Sequence, residues 1–268
     1  MVPVSDVTTR RARPLRDAAL AVSLLTLVPA GVRTGRDERS SASGWFPAVG
    51  LALGGLVWAL VAFVAPATAV ETHPHLVAVL VVTAHAVLTR LLHWDGLADV
   101  ADAWWGGHTV ERRLEIMKDS ATGAFGVSTL VIVALLQVTA IADLIAAGGL
   151  LPLLFAPLFG RTAATFAAWF GQPARDGGLG RSVIGRPSVA SLLPAVVAIG
   201  CVVLLLNAAM GLPGAVVSGV GLLLALVVPH LISLRMGGVT GDVMGASVLI
   251  VETAVYVICA FGAEVLFR

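Results

Sequence analysis

Asp95, Asp99 and Asp102 follow the imidazole of His93 at intervals of four and three residues. On a helix those positions fall within about 60° of one another, so all three carboxylates share a face. Carboxylates gathered in this way repel unless a positive charge lies between them. A hard divalent cation with oxygen ligands, Mg²⁺ above all, is the usual answer, and it commonly brings a phosphate with it. The bland alternative is a solvated helix face, but the run follows directly on an apolar stretch. Downstream, Glu111, Glu115 and Asp119 recur every fourth residue among Arg112, Arg113 and Lys118. Asp119 could complete the metal site and Lys118 could hold a phosphate oxygen, whereas Glu111 and Arg113 read better as an ion-paired surface. Residues 93–123 thus hold six of the chain's sixteen carboxylates.

Three further stretches carry polar chemistry in oily surroundings. Gly237-Gly238-Val-Thr240-Gly241-Asp242 has glycines that let backbone approach a ligand, amides that could form an anion nest, and one more carboxylate. A plain tight turn explains the same residues. Arg161 stands within an apolar run, where an arginine faces either a polar cavity or a partner. Phosphate binding is one reading, and pairing with Asp143 or Glu252 is the other. The loop from Arg175 to Arg181, with Gly178 and Gly180, adds backbone freedom and positive charge. His85 and His230 lie in apolar runs and read as packed side chains. His93 draws more interest because it immediately precedes the aspartates.

The elements that must position these groups are membrane helices. Mean hydropathy is +0.95, 58% of residues are hydrophobic and 12% charged, and apolar windows of about 20 residues recur. The expected fold is therefore all-α and polytopic. Seven spans are expected, near 45–66, 76–93, 124–147, 151–170, 189–209, 214–235 and 245–267. Residues 1–44 form a basic arm and a short apolar segment, 18–30, flanked by arginines on both sides; it lies in the interface or re-enters. Residues 45–268 form one helical domain. Connections near 67–75, 148–150 and 210–213 lack Lys and Arg, while the opposite ends are rich in them. That asymmetry places the N-terminus in the cytoplasm of a multi-pass cytoplasmic-membrane protein, with the acidic stretches on the cytoplasmic face. A net charge of +1 gives no electrostatic case for nucleic acid. Cys201 and Cys259 lie in apolar runs and read as small core residues.

His93-Trp-Asp95-Gly-Leu-Ala-Asp99-Val-Ala-Asp102, Glu115-Ile-Met-Lys118-Asp119-Ser-Ala-Thr-Gly123 and Gly237-Gly-Val-Thr-Gly-Asp242-Val-Met-Gly-Ala246 together resemble the cobalamin synthase (adenosylcobinamide-GDP ribazoletransferase) family. Leu25-Thr-Leu-Val-Pro29, Phe46-Pro-Ala-Val-Gly50 and Gly178-Leu-Gly180 extend the likeness over most of the chain. Gly177 and Leu27 depart from it, which touches substrate contacts and not the metal carboxylates. The resemblance implies that a hydroxyl of α-ribazole, or of its 5′-phosphate, attacks the cobinamide-linked phosphorus of adenosylcobinamide-GDP and releases GMP. Asp95, Asp99 and Asp102 would then be Mg²⁺ ligands, with Asp119 and Asp242 as additions. Lys118, Arg161, Gly178, Gly180, Gly237, Gly238, Thr240 and Gly241 would bind substrate. The general base stays open among the aspartates, Asp95 and Asp99 foremost, and His93. Membrane lipid is an expected partner, and oligomerisation is left open. An Mg²⁺-dependent intramembrane prenyltransferase and a cation transporter are the rival readings, and the latter expects acids along the spans.

Overall fold

Inside a bilayer a backbone can satisfy its own polar groups as helix, and helix is what the long apolar runs form. The structure is a computed structural model describing residues 14–29, 31, 41–64, 73–175, 183–186 and 189–266. Helix α1 (Pro14–Leu25) is followed by a 3-10 turn, Ser41–Trp45, that leads into α2 (Phe46–Val64). Then come α3 (Pro74–Leu88), α4 (Leu92–Gly106), α5 (Val110–Ile116), α6 (Ala124–Ala146) and α7 (Leu151–Phe170). The chain continues through α8 (Val189–Met210), α9 (Leu212–Met236), α10 (Gly241–Phe261) and a final turn, α11 (Ala263–Leu266). Among the described residues the one pairing of extended backbone is a parallel bridge between Pro173 and Val239.

Among the described residues six helices, α2 and α6 to α10, are long and apolar enough to cross a membrane. They are not equivalent. In α7, 83% of the apolar window is buried inside the protein, and in α10 72%, against 22% in α8. So α7 and α10 form the centre, and the other four present an outer apolar face. On α6 that face is Val127, Val131, Ile132, Leu135 and Leu136, all exposed at helical spacing. The chain is a multi-pass membrane protein. The α2–α7 contact is close because a methyl group at Gly50 or Gly54 would run into the α7 backbone at Pro157 and Leu154, the small-xxx-small device of membrane helix pairs.

The expected span at 76–93 is broken. Helix α3 has 15 residues, about 22 Å at 1.5 Å per residue, and α4 leaves it at 90°. The bend uses two consecutive left-handed residues, Arg90 (φ 54°) and Leu91 (φ 57°), a costly conformation for bulky side chains. Hydrogen bonds hold it. Leu91 N–H donates to Ala86 O (2.7 Å), Leu27 N–H donates to Leu88 O (2.8 Å), and the Arg90 guanidinium donates to Ser23 O (3.1 Å). Helix α1, whose 12 residues are too short to cross, therefore buttresses the bend through its C-terminal end. Beyond the bend, α4 lies across the first turns of α6 and α10, at one end of the bundle. There Gly96 faces Asp242, and Asp102 faces Gly123 and Gly126.

Candidate active site

Two helix starts and one crossing helix bring the carboxylates together. Thr240 caps α10, its hydroxyl oxygen accepting from Val243 N–H at 3.1 Å and donating to Asp242 Oδ2 at 3.2 Å. Asp242 thus sits in the first turn of α10, where a helix N-terminus favours negative charge. The expected span starting at 245 leaves Asp242 in the loop before it, whereas the helix begins at Gly241. Helix α4 passes so closely that a methyl group on Gly96 would lie 2.9 Å from the Asp242 carbonyl oxygen. Glycine at 96 is what lets Asp95 and Asp99 reach the neighbourhood of a residue far away in sequence.

Asp95 is exposed, while Asp99 and Asp242 are half-buried. Burial foremost, and then the charges of Asp242, Asp95 and Asp102, push the Asp99 carboxyl up to about 7, against the opposing pull of Arg175. Arg175 is itself positioned by backbone. Val239 N–H donates to Gln172 O (2.7 Å) and Ala174 N–H to Val239 O (3.1 Å), which lays the Arg175 guanidinium 3.4 Å from Asp242 Oδ2. The sequence marked this arginine only as a positive charge in a glycine-rich loop, because its pairing depends on the bridge between Pro173 and Val239.

The remaining expected site residues divide. Asp102 is turned away to α6, whose capping residue Gly123 has no side chain. Asp102 Oδ2 accepts from Gly123 N–H at 2.7 Å and Oδ1 accepts from Gly126 N–H at 2.8 Å. Both oxygens accept from orphan amides of a helix start, so Asp102 anchors the start of α6. Asp119 is exposed, and its Oδ1 accepts from Ala121 N–H at 3.0 Å in its own turn. Lys118 beside it is also exposed. The amides of Gly237 and Gly238 both donate to Ser233 O and that of Val239 to Gln172 O, so they build a turn and no anion nest. At φ 75° and 143° these two glycines occupy backbone that other residues rarely adopt. Thr240 and Gly241 line a cavity beside the carboxylates. Gly178 and Gly180 lie outside the described residues.

Arg161 does not face a phosphate site. It is 1% exposed and pairs through Nη1 with Glu252 Oε2, and His85 Nδ1 lies 3.5 Å from Glu252 Oε1. Of the two readings open in the sequence, pairing with Glu252 is the one the fold takes. Arg113, expected on an ion-paired surface, is buried and donates to Arg235 O at 2.9 Å, closing the C-terminus of α9. His93 is 3% exposed, with neither ring nitrogen bonded among the described residues. Burial foremost, then Arg161 and His85, hold it far toward the neutral form.

The cavity, about 320 Å³, is bordered by Asp95, Asp242, Thr240 and Arg175 at its polar side and by Phe46, Met244 and Val248 among its apolar walls. Among the described residues no three His, Cys, Asp or Glu side chains converge tightly enough to cage a metal ion. Mg²⁺ needs no such cage: it keeps several waters and commonly takes one or two carboxylates plus the phosphates of its substrate. The oxygen donors Asp95, Asp99 and Asp242, crowded enough to hold one proton near neutrality, fit that mode. The arrangement can bring together a diphosphate, a divalent cation and an apolar reactant.

Comparison with known proteins was made against this geometry. Residues 17–260 match the family described as cobalamin-5-phosphate synthase. The chain is 40% identical over 238 residues to an adenosylcobinamide-GDP ribazoletransferase of Syntrophobacter fumaroxidans, covering 87% of this chain and 93% of that one. It is 37% identical to a protein of the same name from Nitratidesulfovibrio vulgaris (strain DP4), covering 92% and 98%. A third such protein, from Stutzerimonas stutzeri, is 41% identical over 79% of this chain and 83% of its own length. No solved structure matches the chain significantly.

Proposed function

The chain belongs to the cobalamin-5-phosphate synthase family, and on that premise we propose that it performs the reaction its relatives are named for. A hydroxyl of α-ribazole or of its 5′-phosphate forms a new ester to the cobinamide-linked phosphorus of adenosylcobinamide-GDP. The phosphorus–oxygen bond to the second phosphate breaks, GMP leaves with the electron pair, and the hydroxyl proton passes to a carboxylate. The observation that carries this reading is the placing of Asp95 and Asp242 at the mouth of an apolar cavity, with Arg175 beside Asp242 and Asp99 within reach of their charges.

Asp95, Asp99 and Asp242 would hold Mg²⁺, which when bound offsets charge on the bridging and leaving oxygens. Arg175 is placed to orient a phosphate oxygen. Asp99, whose carboxyl stands near 7 in the metal-free site, would give up that proton as Mg²⁺ binds. Asp102 acts through α6, by fixing where α4 lies. Lys118, on the same end of the bundle, supplies positive charge to the approaching diphosphate.

The site end carries Arg16, Arg90, Arg112, Arg113, Lys118, Arg175, Arg186 and Arg235, whereas the connections at 148–150 and 210–213 at the opposite end carry no Lys or Arg. By the positive-inside rule the site end and the N-terminus face the cytoplasm of the cytoplasmic membrane. The outer apolar faces of α6, α8 and α9 are the surface for lipid.

The test is GMP release by the purified protein in lipid, given adenosylcobinamide-GDP and α-ribazole with and without Mg²⁺, beside Asp99→Ala and Asp242→Asn. Mg²⁺-dependent GMP and cobalamin formation, lost in both variants, is the expected result. Turnover independent of divalent cations would overturn the metal assignment.

A further inference from the structure

A second hollow lies outside the active site, on the flank of the bundle between α7 and α9. It exists because small residues meet there: Ala167 and Gly171 at the end of α7, and Pro229 within α9. Phe170, Leu226 and Val227 stand around the gap, and all three are exposed. The groove holds about 230 Å³, and an apolar cavity of about 150 Å³ already takes up benzene. Both helices are membrane-crossing elements, so the medium against this opening is bilayer. At 1.5 Å per residue, the α9 lining from Ser233 back to Leu226 lies about 5 to 15 Å from the end of that helix at Met236. That is the depth of one leaflet's acyl chains, half of a hydrocarbon core about 30 Å thick.

One ionisable side chain interrupts the apolar lining. His230, expected to be packed, is exposed there, and its ring has no partner among the described residues. An ionisable residue on the bilayer side of a span is expensive unless a polar group meets it. Ser233 does not serve, because its hydroxyl donates to the His230 carbonyl oxygen at 2.8 Å. The oxygens available at this depth are the ester and phosphate oxygens of a lipid, carried just above the acyl chains that the groove is shaped to take.

The inner wall of the groove is Val239, and Val239 also lines the active-site cavity. Its side chain packs against Gly171, where an added methyl group would strike Val239 Cγ2. Its backbone makes both hydrogen bonds that lay Arg175 beside Asp242. A single residue therefore stands between the bilayer and the site.

We propose that this groove seats one acyl chain of a phospholipid from the leaflet on the site side. His230 donates a hydrogen bond to an ester or phosphate oxygen of that lipid, and the seated chain braces Val239 and with it the position of Arg175. The seat stands on the groove itself, while its effect on turnover rests on the reaction proposed above.

The experiment is photo-crosslinking of the purified full chain in nanodiscs of phosphatidylethanolamine and phosphatidylglycerol. The probe is a phosphatidylcholine with a diazirine midway along one acyl chain, and adducts are mapped by peptide mass spectrometry. Leu226→Trp and Val227→Trp fill the groove, His230→Leu removes the polar contact, and Leu204→Trp, at an exposed position on α8, is the control. In wild type, adducts should concentrate at residues 166–171 and 226–233, at least fivefold over the outer face of α6. Both groove-filling variants should lose that excess, His230→Leu should lower it about threefold, and Leu204→Trp should leave it unchanged. Unaltered labelling of α6 shows that a variant is folded. Turnover is the second readout. Removing lipid in detergent should raise the wild-type KM for adenosylcobinamide-GDP about tenfold, reversed by added phospholipid. Val227→Trp, whose indole takes the place of the chain, should keep a low KM without lipid. Labelling spread evenly over α6, α8 and α9 would overturn the seat and leave an ordinary lipid coat. Adducts between two protein chains at the groove would overturn it in favour of a second copy. A KM indifferent to lipid would overturn the bracing of Val239. Groove labelling in a protein that releases no GMP would instead sink the proposed reaction and leave the seat standing.

Discussion

Two groups of charged residues lie within the same bundle and behave oppositely. Between α3, α7 and α10, Arg161, Glu252 and His85 form a sealed set in which the buried guanidinium and carboxylate answer each other. At the end of the bundle, Asp95, Asp99 and Asp242 crowd together and, among the described residues, Arg175 is the cation that opposes the rise of Asp99 to about 7 and does not cancel it. A charge that the chain itself neutralises belongs to the fold. A charge left out of balance belongs to a ligand. The difference teaches how to sort polar residues in a membrane chain, where every one of them stands out against the apolar background.

The sharpest break in that comparison is Glu252→Ala. It leaves Arg161 buried without its partner, which costs about 3–5 kcal/mol in comparable pairs. The expected outcome is a collapse in the yield of folded protein, or a large drop in thermal stability in detergent. Asp99→Asn should do the reverse. It relieves like-charge repulsion, so thermal stability of the metal-free protein holds or rises, while turnover falls by about 100-fold or more. If both variants lose stability together, the two groups are not distinct in kind.

Gly96→Ala probes the contact that assembles the second group. The added methyl meets the Asp242 carbonyl at 2.9 Å, and backbone cannot swing aside as a side chain can. Overpacking of this sort costs about 1–3 kcal/mol, and the shift it forces separates α4 from α10. Activity should fall by more than the stability loss alone explains, measured as kcat at a temperature where the variant is fully folded. Asp102→Ala is smaller still: loss of a helix cap, about 1 kcal/mol, with a partial loss of activity and no change in apparent Mg²⁺ affinity. A tenfold fall in Mg²⁺ affinity would return Asp102 to the metal.

Much of this division was legible in the residues, and the parts that were not have physical reasons. The spans expected at 124–147 and 151–170 match α6 (Ala124–Ala146) and α7 (Leu151–Phe170), because unbroken apolar runs end at glycines. The bend after Leu88 was hidden because Arg90 and Leu91, not Gly or Pro, adopt the left-handed backbone. The aspartate spacing correctly foretold a helix with Asp95 and Asp99 together. It could not show that Asp102 is drawn to Gly123 and Gly126, since its partners are main-chain amides that every residue carries. Nor could it choose between phosphate and Glu252 for Arg161, a choice made by the packing of α7 against α10.

The finest test of the imbalance is its dependence on pH. The Asp99 carboxyl stands near 7 in the folded, metal-free site and near 3.8 when free. Between those values the folded chain therefore binds a proton that the unfolded chain lacks. Stability falls with rising pH wherever the folded state binds more protons, so this contribution is complete below about pH 3.8 and is lost as pH climbs through 7. A cation competes with the same proton. Apparent Mg²⁺ affinity should consequently weaken below pH 7, approaching tenfold per unit for one displaced proton, and level off above it. Saturating Mg²⁺ should flatten the stability slope between pH 6 and 8, and Asp99→Asn should abolish it. Thermal unfolding across that range, with and without Mg²⁺, reads both effects. A slope that survives in Asp99→Asn would assign the titrating group elsewhere and weaken the contrast between a site held open and an interior held closed.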